Sequence, residues 1–161
     1  MSKAKRGNYL EDFKVGSTLV HATPRTLTES DSILNIALTG SRFALFSSDA
    51  FAQSCGLARS PIDPLLAFHM VFGKTVPDIS LNAVANLGYA EGRFLRLAFP
   101  GDTLSARSEI LGKKENSSGA NGVVWVRSRG ATQNGDPILD YVRWVMVHKS
   151  DPQSPMPNVA P

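Results

Sequence analysis

The sequence predicts an α+β domain in which one strongly apolar helix lies against an antiparallel sheet, and three observations carry that reading. An apolar run at 65–76 follows a helix-start signature. Four β-rich segments then occupy most of 84–147, and glycine-containing turn chemistry separates them. The chain of 161 residues is long enough to bury a core of its own as one domain, without disulfide or metal.

Residues 1–8 read as a flexible polar arm, 9–149 as the domain, and 150–161 as a Pro-rich tail or linker. From Thr18 to Thr28, β-branched and alternating residues predict a first strand, bent or at an edge because Pro24 interrupts it. Thr28, Glu29, Ser30 and Asp31 offer a cap and first-turn acids ahead of Ile33, Leu34, Ala37 and Leu38, whose spacing is helical, and Gly40 is a natural stop. A second short helix is expected from Asp49 to Cys55, ended by Gly56.

The third helix has the clearest start. Asp63 is a good N-cap, and Pro64 fits the first helical position, where a missing N–H costs nothing. The stretch Leu65 to Val76 is apolar all round and is expected inside the fold, with Pro77 as its end. Strands follow at Val84–Leu97, Thr103–Leu111, Val123–Gly130 and Ile138–Val147. Their separators are Pro100-Gly101-Asp102, the polar loop from Lys113 to Gly122, and Asn134-Gly135-Asp136-Pro137. A strand, then helices, then four antiparallel strands around a central buried helix is the order of a hotdog fold.

Composition narrows the function. Charged residues are 19% and the net charge is only +3, part of it from Lys3, Lys5 and Arg6 at the start. No basic stripe with interleaved aromatics appears, which argues against nucleic acid. Cys55 is the sole cysteine, so an internal disulfide and a thiolate-rich metal site are both excluded, and it reads as a core residue of its helix. No apolar run reaches membrane-spanning length and the start lacks the apolar region of a signal peptide, so the expectation is a cytoplasmic protein without a membrane partner. The tail holds four prolines and little apolar surface; it reads either as a semi-rigid spacer or as a frayed end.

Two ordered segments carry a family resemblance. They are Asn86-Leu87-Gly88-Tyr89-Ala90-Glu91-Gly92-Arg93-Phe94 followed by Phe99-Pro100-Gly101-Asp102-Thr103-Leu104, and, upstream, Leu27-Thr28-Glu29-Ser30-Asp31 through Gly40. Together they resemble the MaoC-like hydratases of hotdog fold. More narrowly, His21-Ala22-Thr23-Pro24-Arg25-Thr26, Gly40-Ser41-Arg42-Phe43-Ala44-Leu45, Ser47-Ser48-Asp49-Ala50-Phe51 and Phe72-Gly73-Lys74-Thr75-Val76-Pro77-Asp78 are similar to the amino-terminal half of mesaconyl-CoA hydratases, also called β-methylmalyl-CoA dehydratases. The resemblance implies a hydro-lyase acting on enoyl-CoA thioesters of branched C5-dicarboxylic acids, with water as second substrate and no cofactor. It also implies a homodimer or pairing with a second hotdog domain.

Adding water to an enoyl thioester needs a base, an acid and donors for the thioester oxygen. The MaoC-like enzymes supply the first two from a Gly-Asp-x-Asn-Pro-x-His loop and the third from a His-Gly pair at the start of the central helix. On this chain the loop becomes Gly40-Ser41-Arg42-Phe43-Ala44-Leu45-Phe46, with Ser41, Phe43 and Phe46 at the Asp, Asn and His positions. The His-Gly pair becomes Asp63-Pro64, and Pro64 has no N–H to give. The usual reaction centre is therefore absent from its expected place.

Ser41, Asp63 and His69 are the candidates for a relocated catalytic role. Asp63 also reads as a plain helix cap, and His69 as a satisfied core histidine. Arg42 is a candidate partner for the free carboxylate of a dicarboxylic thioester, or else a solvated surface residue. Asn82, Asn86 and Arg93 are candidates for binding the CoA thioester, the asparagines to its pantetheine amides and Arg93 to its phosphates; plain structural roles at a strand end or on a solvated strand remain open beside these. His21, His69 and His148 are too scattered for a metal site. The enzyme reading stands beside an alternative: a non-catalytic acyl-CoA binding or scaffolding subunit that pairs with a catalytic hotdog.

Overall fold

A computed structural model describes residues 7–151; the proposed arm at 1–8 and tail at 150–161 lie largely outside the described residues. The elements run β1 (Thr18–Val20), β2 (Arg25–Thr26), α1 (Glu29–Thr39), α2 (Asp49–Ser54), α3 (Pro64–Thr75), β3 (Ala83–Phe94), β4 (Thr103–Glu115), β5 (Asn121–Ala131) and β6 (Pro137–His148). The six strands form one antiparallel sheet in the order β1-β4-β5-β6-β3, with β2 also beside β4. The sheet packs against α3, which is the hotdog arrangement.

The predicted first strand divides in two. Thr23 takes a left-handed backbone, φ 60°, just ahead of Pro24, and this corner separates β1 from β2. Both fragments pair antiparallel with β4, with the register shifted by two residues between them.

Helix α3 is where sequence and structure meet most closely. Asp63 Oδ1 accepts from the Leu65 N–H at 2.8 Å, and Pro64 stands at the first position. Leu66, Ala67, Val71 and Thr75 are buried, while Leu65 is 61% exposed and His69 is exposed. The helix is thus buried along one stripe, not all round, and its outer side is exposed. Gly130 lets it come down onto the sheet, since a Cβ there would fall 2.6 Å from Val71 Cγ2. Pro77 does not end the helical path. The chain continues as a π-helical turn over Val76–Ser80, a wide coil in which a proline's missing donor is accommodated.

Two apolar clusters fill the space between helix and sheet. One gathers Leu27, Ile62, Leu66, Val71, Leu104 and Leu139; the other gathers Leu10, Phe13, Ile79, Val124, Val145 and Val147. A polar seam runs between them. Strand register sets Ser108 beside Ser128 and Ser128 beside Tyr141, and in the next row Val126, Arg143 and Tyr89 stand side by side. Ser108, Ser128, Tyr141 and Arg143 are all buried.

Candidate functional site

The loop at 40–46, which the resemblance marks as the place for an acid and base, is set between capped helices. Thr28 and Asp31 close a reciprocal cap on α1: the Thr28 N–H donates to Asp31 Oδ2 at 2.9 Å and the Asp31 N–H to Thr28 Oγ1 at 3.3 Å. Gly40 ends α1 at φ 68°. Phe43 then stacks edge-on with Phe46, ring centroids 5.4 Å apart. Ser48 caps α2 by accepting from the Phe51 N–H at 3.2 Å.

Asp49 accepts from the Ser60 N–H at 2.8 Å, and hydrogen bonding to Ser60 holds its carboxyl below the usual range. Asp63 is likewise committed to the Leu65 N–H. The first two positions of α3 therefore offer no donor to a thioester oxygen: Pro64 has none and that of Leu65 is taken.

Of the remaining candidates, Ser41 is half-buried and Arg42 exposed, and neither lines the groove of about 670 Å³ between α1 and the loop, whose walls include Ile33, Ile36, Phe46 and Arg59. His69 faces outward, into a groove of about 470 Å³ shared with Arg25, Met70 and Lys74. Burial lowers the pKa of Lys74, with Arg25 adding to it. Asn82 tethers the chain start, donating from Nδ2 to the Asn8 carbonyl at 3.3 Å, while its own carbonyl accepts from the His148 N–H at 3.1 Å. Asn86 is exposed on β3. Arg93 borders an apolar pocket of about 290 Å³ at the start of α3, with Leu65, Phe68, Tyr89 and Tyr141. The structure thus brings Arg93 to an acyl-sized pocket and disperses the other candidates.

Cys55, expected in the core, is exposed because α2 buries only Ala52.

The seam was not foreseen as a unit. His21 Nδ1 lies 2.7 Å from Asp78 Oδ2, its Nε2 lies 2.8 Å from Ser108 Oγ, and Ser108 Oγ lies 2.7 Å from Ser128 Oγ. Asp78 accepts from Nδ1–H, which leaves Nε2 to accept from the Ser108 hydroxyl. Burial pushes the His21 pKa down, against the opposing pull of Asp78. Burial likewise pushes the Tyr141 phenol up and the Arg143 guanidinium down, the latter opposed by Tyr141 and Tyr89. The partners of His21 stand 57 and 87 residues away, so no sequence spacing links them. One signal was available: Tyr141, Arg143, Val145 and Val147 share a phase of alternation, which places Arg143 on the inward face.

Among the described residues no group of His, Cys, Asp and Glu is arranged to hold a metal ion, and no helix is long and apolar enough to cross a membrane.

Comparison with known proteins first defines the class. A MaoC domain dehydratase from Chloroflexus aurantiacus superimposes with a TM-score of 0.95 at 59% identity, over 100% of this chain and 46% of that one. A Mycobacterium tuberculosis protein with a double hotdog fold superimposes at 0.83 and 24% identity, over 92% of this chain and 46% of that one. The mesaconyl-CoA hydratase of Cereibacter sphaeroides is 59% identical over 155 residues, and the β-methylmalyl-CoA dehydratase of Chloroflexus aurantiacus 60% identical over 157. These alignments take in 96% and 98% of this chain and 45% of each relative. The family model for mesaconyl-CoA hydratase matches residues 1–156, and the chain belongs to that family. It spans about half the length of the curated relatives it matches.

Proposed function

We propose that this chain is the substrate-binding hotdog half of a hydratase/dehydratase for CoA thioesters, with mesaconyl-CoA and β-methylmalyl-CoA as the substrate pair, and that a second hotdog supplies the acid and base. Family membership supports the substrate class. The observation that carries the division of labour is the start of α3. There Asp63 occupies the Leu65 N–H and Pro64 removes the donor before it, while Ser41, Phe43 and Phe46 stand where the loop chemistry would be. Neither a serine without a base nor a phenylalanine can exchange the protons that hydration requires.

The second hotdog pairs through β3. This strand is hydrogen-bonded to β6 on one side only and leaves Val84, Leu87, Tyr89 and Phe94 each between 46% and 53% exposed. A long edge with exposed apolar side chains is a template for another strand, even though irregularities at Ala83/Ala85, Asn86/Gly88 and Ala90/Arg93 break its register with β6. Whether the partner is a second copy or a catalytic hotdog, the same edge serves. A CoA-thioester ligand supports a cytoplasmic location.

Incubation of the purified chain with mesaconyl-CoA, followed by the enoyl-thioester absorbance, tests this reading. The expected result is binding without turnover, and turnover once a hotdog with an intact Asp/His loop is added. Robust turnover by the chain alone overturns it and directs mutagenesis to Ser41, Arg42 and Asp63. Binding that stays silent with every hotdog partner supplied converts the assignment to an acyl-CoA scaffolding subunit.

A further inference from the structure

Arg143 is fully buried, and its Nε, Nη1 and Nη2 reach no partner in good hydrogen-bond geometry, the Tyr89 phenol being a looser neighbour; the Tyr141 hydroxyl is buried in the same way, with Ser128 and Thr75 as its loose neighbours. A guanidinium cannot escape burial by giving up its proton, as a lysine can. Its Cζ lies 4.7 Å from the centre of the Phe72 ring, a contact that accounts for one face of the plane, and no carboxylate among the described residues pairs with its N–H edge. On this side of the sheet the seam's carboxylate, Asp78, is engaged at the far end by His21. Asp140, adjacent in sequence to Tyr141, points to the opposite face, 3.5 Å from Arg127 Nη1. What the cluster lacks is an anion.

The surroundings say which anion fits. Tyr89 stands opposite Arg143 across the β3–β6 pair, and Phe68 lies 5.8 Å from Tyr89 and 5.0 Å from Tyr141, centroid to centroid. These three rings also wall the apolar pocket beside Leu65 and Arg93. Phe68, Tyr89 and Tyr141 therefore stand between that pocket and Arg143. Tyr89, 49% exposed, is the outermost of the three rings. Phe68 and Phe72, one helical turn apart with ring centroids 5.9 Å from each other, lead inward from that pocket to Arg143, which lies against Phe72.

We propose that Arg143 and the Tyr141 hydroxyl receive the free carboxylate of a dicarboxylic acyl-CoA, admitted past Tyr89, and that Arg143 sets the preference for acidic over neutral acyl groups. This rests on the CoA-thioester reading above. It moves carboxylate recognition from the exposed Arg42 to a buried guanidinium, where water does not compete.

Calorimetric titration of the chain with two thioesters tests it: mesaconyl-CoA, and tiglyl-CoA, in which a methyl group replaces that carboxylate. The unaltered protein should bind mesaconyl-CoA about 10- to 100-fold more tightly, the range for a hydrogen-bonded charge. Arg143→Met should bring the two affinities together by weakening only mesaconyl-CoA, and Arg143→Lys should restore part of the difference. Equal affinities in the unaltered protein overturn the inference without needing any variant. So does an Arg143→Met protein that keeps the preference, or one that loses both ligands equally, as a merely structural residue would. Failure of the unaltered protein to bind either thioester removes the CoA reading itself.

Discussion

Helices α1 and α3 are nearly equal in length and both begin with well-formed caps, yet only one of them belongs to the core. Helix α3 buries Leu66, Ala67, Val71 and Thr75 against the sheet. Helix α1 buries nothing, and leaves Ile33 67%, Leu34 59% and Leu38 77% exposed. Capping fixes where a helix starts; it does not decide what the helix packs against. In this fold the sheet has one concave face and α3 fills it, so α1 and the loop after it are held from their ends by side-chain-to-backbone bonds.

Substitutions sharpen that contrast. The largest effect is expected beneath α3: Leu104→Ala, at a fully buried site in the cluster that α3 closes, should cost about 2–5 kcal/mol in chemical denaturation. A loss below about 1 kcal/mol there would mean that α3 is not seated as described.

Next comes the seam. His21→Gln should cost about 1–3 kcal/mol by leaving buried polar groups unanswered. It should also flatten the acid side of the stability profile. Burial holds the folded-state pKa of His21 below the ordinary 6.5, so between the two values the unfolded chain binds the extra proton. The stabilisation is complete above about pH 6.5 and fades as the pH falls toward the folded value. Thermal midpoints measured from pH 7.5 to 4.5 should fall in that window for the unaltered protein and less for the variant; parallel curves would count against a buried neutral imidazole.

Thr28→Ala removes one half of the α1 cap and should cost about 1 kcal/mol, read by denaturant midpoint. Leu38→Ser, on the exposed face of α1, should change stability by no more than about 0.5 kcal/mol. A larger loss would place α1 against something within the chain and remove the contrast between the two helices.

The caps at Thr28 and Asp63, the stop at Gly40 and the strand phases of 103–147 were all legible, because each depends on residues within a few positions of one another. The expectation that the usual acid and base are replaced rests likewise on a local motif, read through the family resemblance. The continuation past Pro77 was not, since a π-helical turn has no compact sequence signature. Nor was the placing of His69 and Cys55, both expected inside and both outside. Apolar neighbours in sequence say that a helix has a buried face, but the facing sheet selects which residues lie on it.

The seam marks the boundary most clearly. The sequence by itself determined the elements, their order and the alternation that turns Arg143 inward. Only the tertiary structure brought Asp78, His21 and Ser108 into one line and set Tyr89 across from Arg143. Hydrogen bonds and buried charges act over a few ångströms of space, whatever the separation along the chain. A polar residue on an inward phase therefore announces only that it needs a partner, and the fold decides which one it receives.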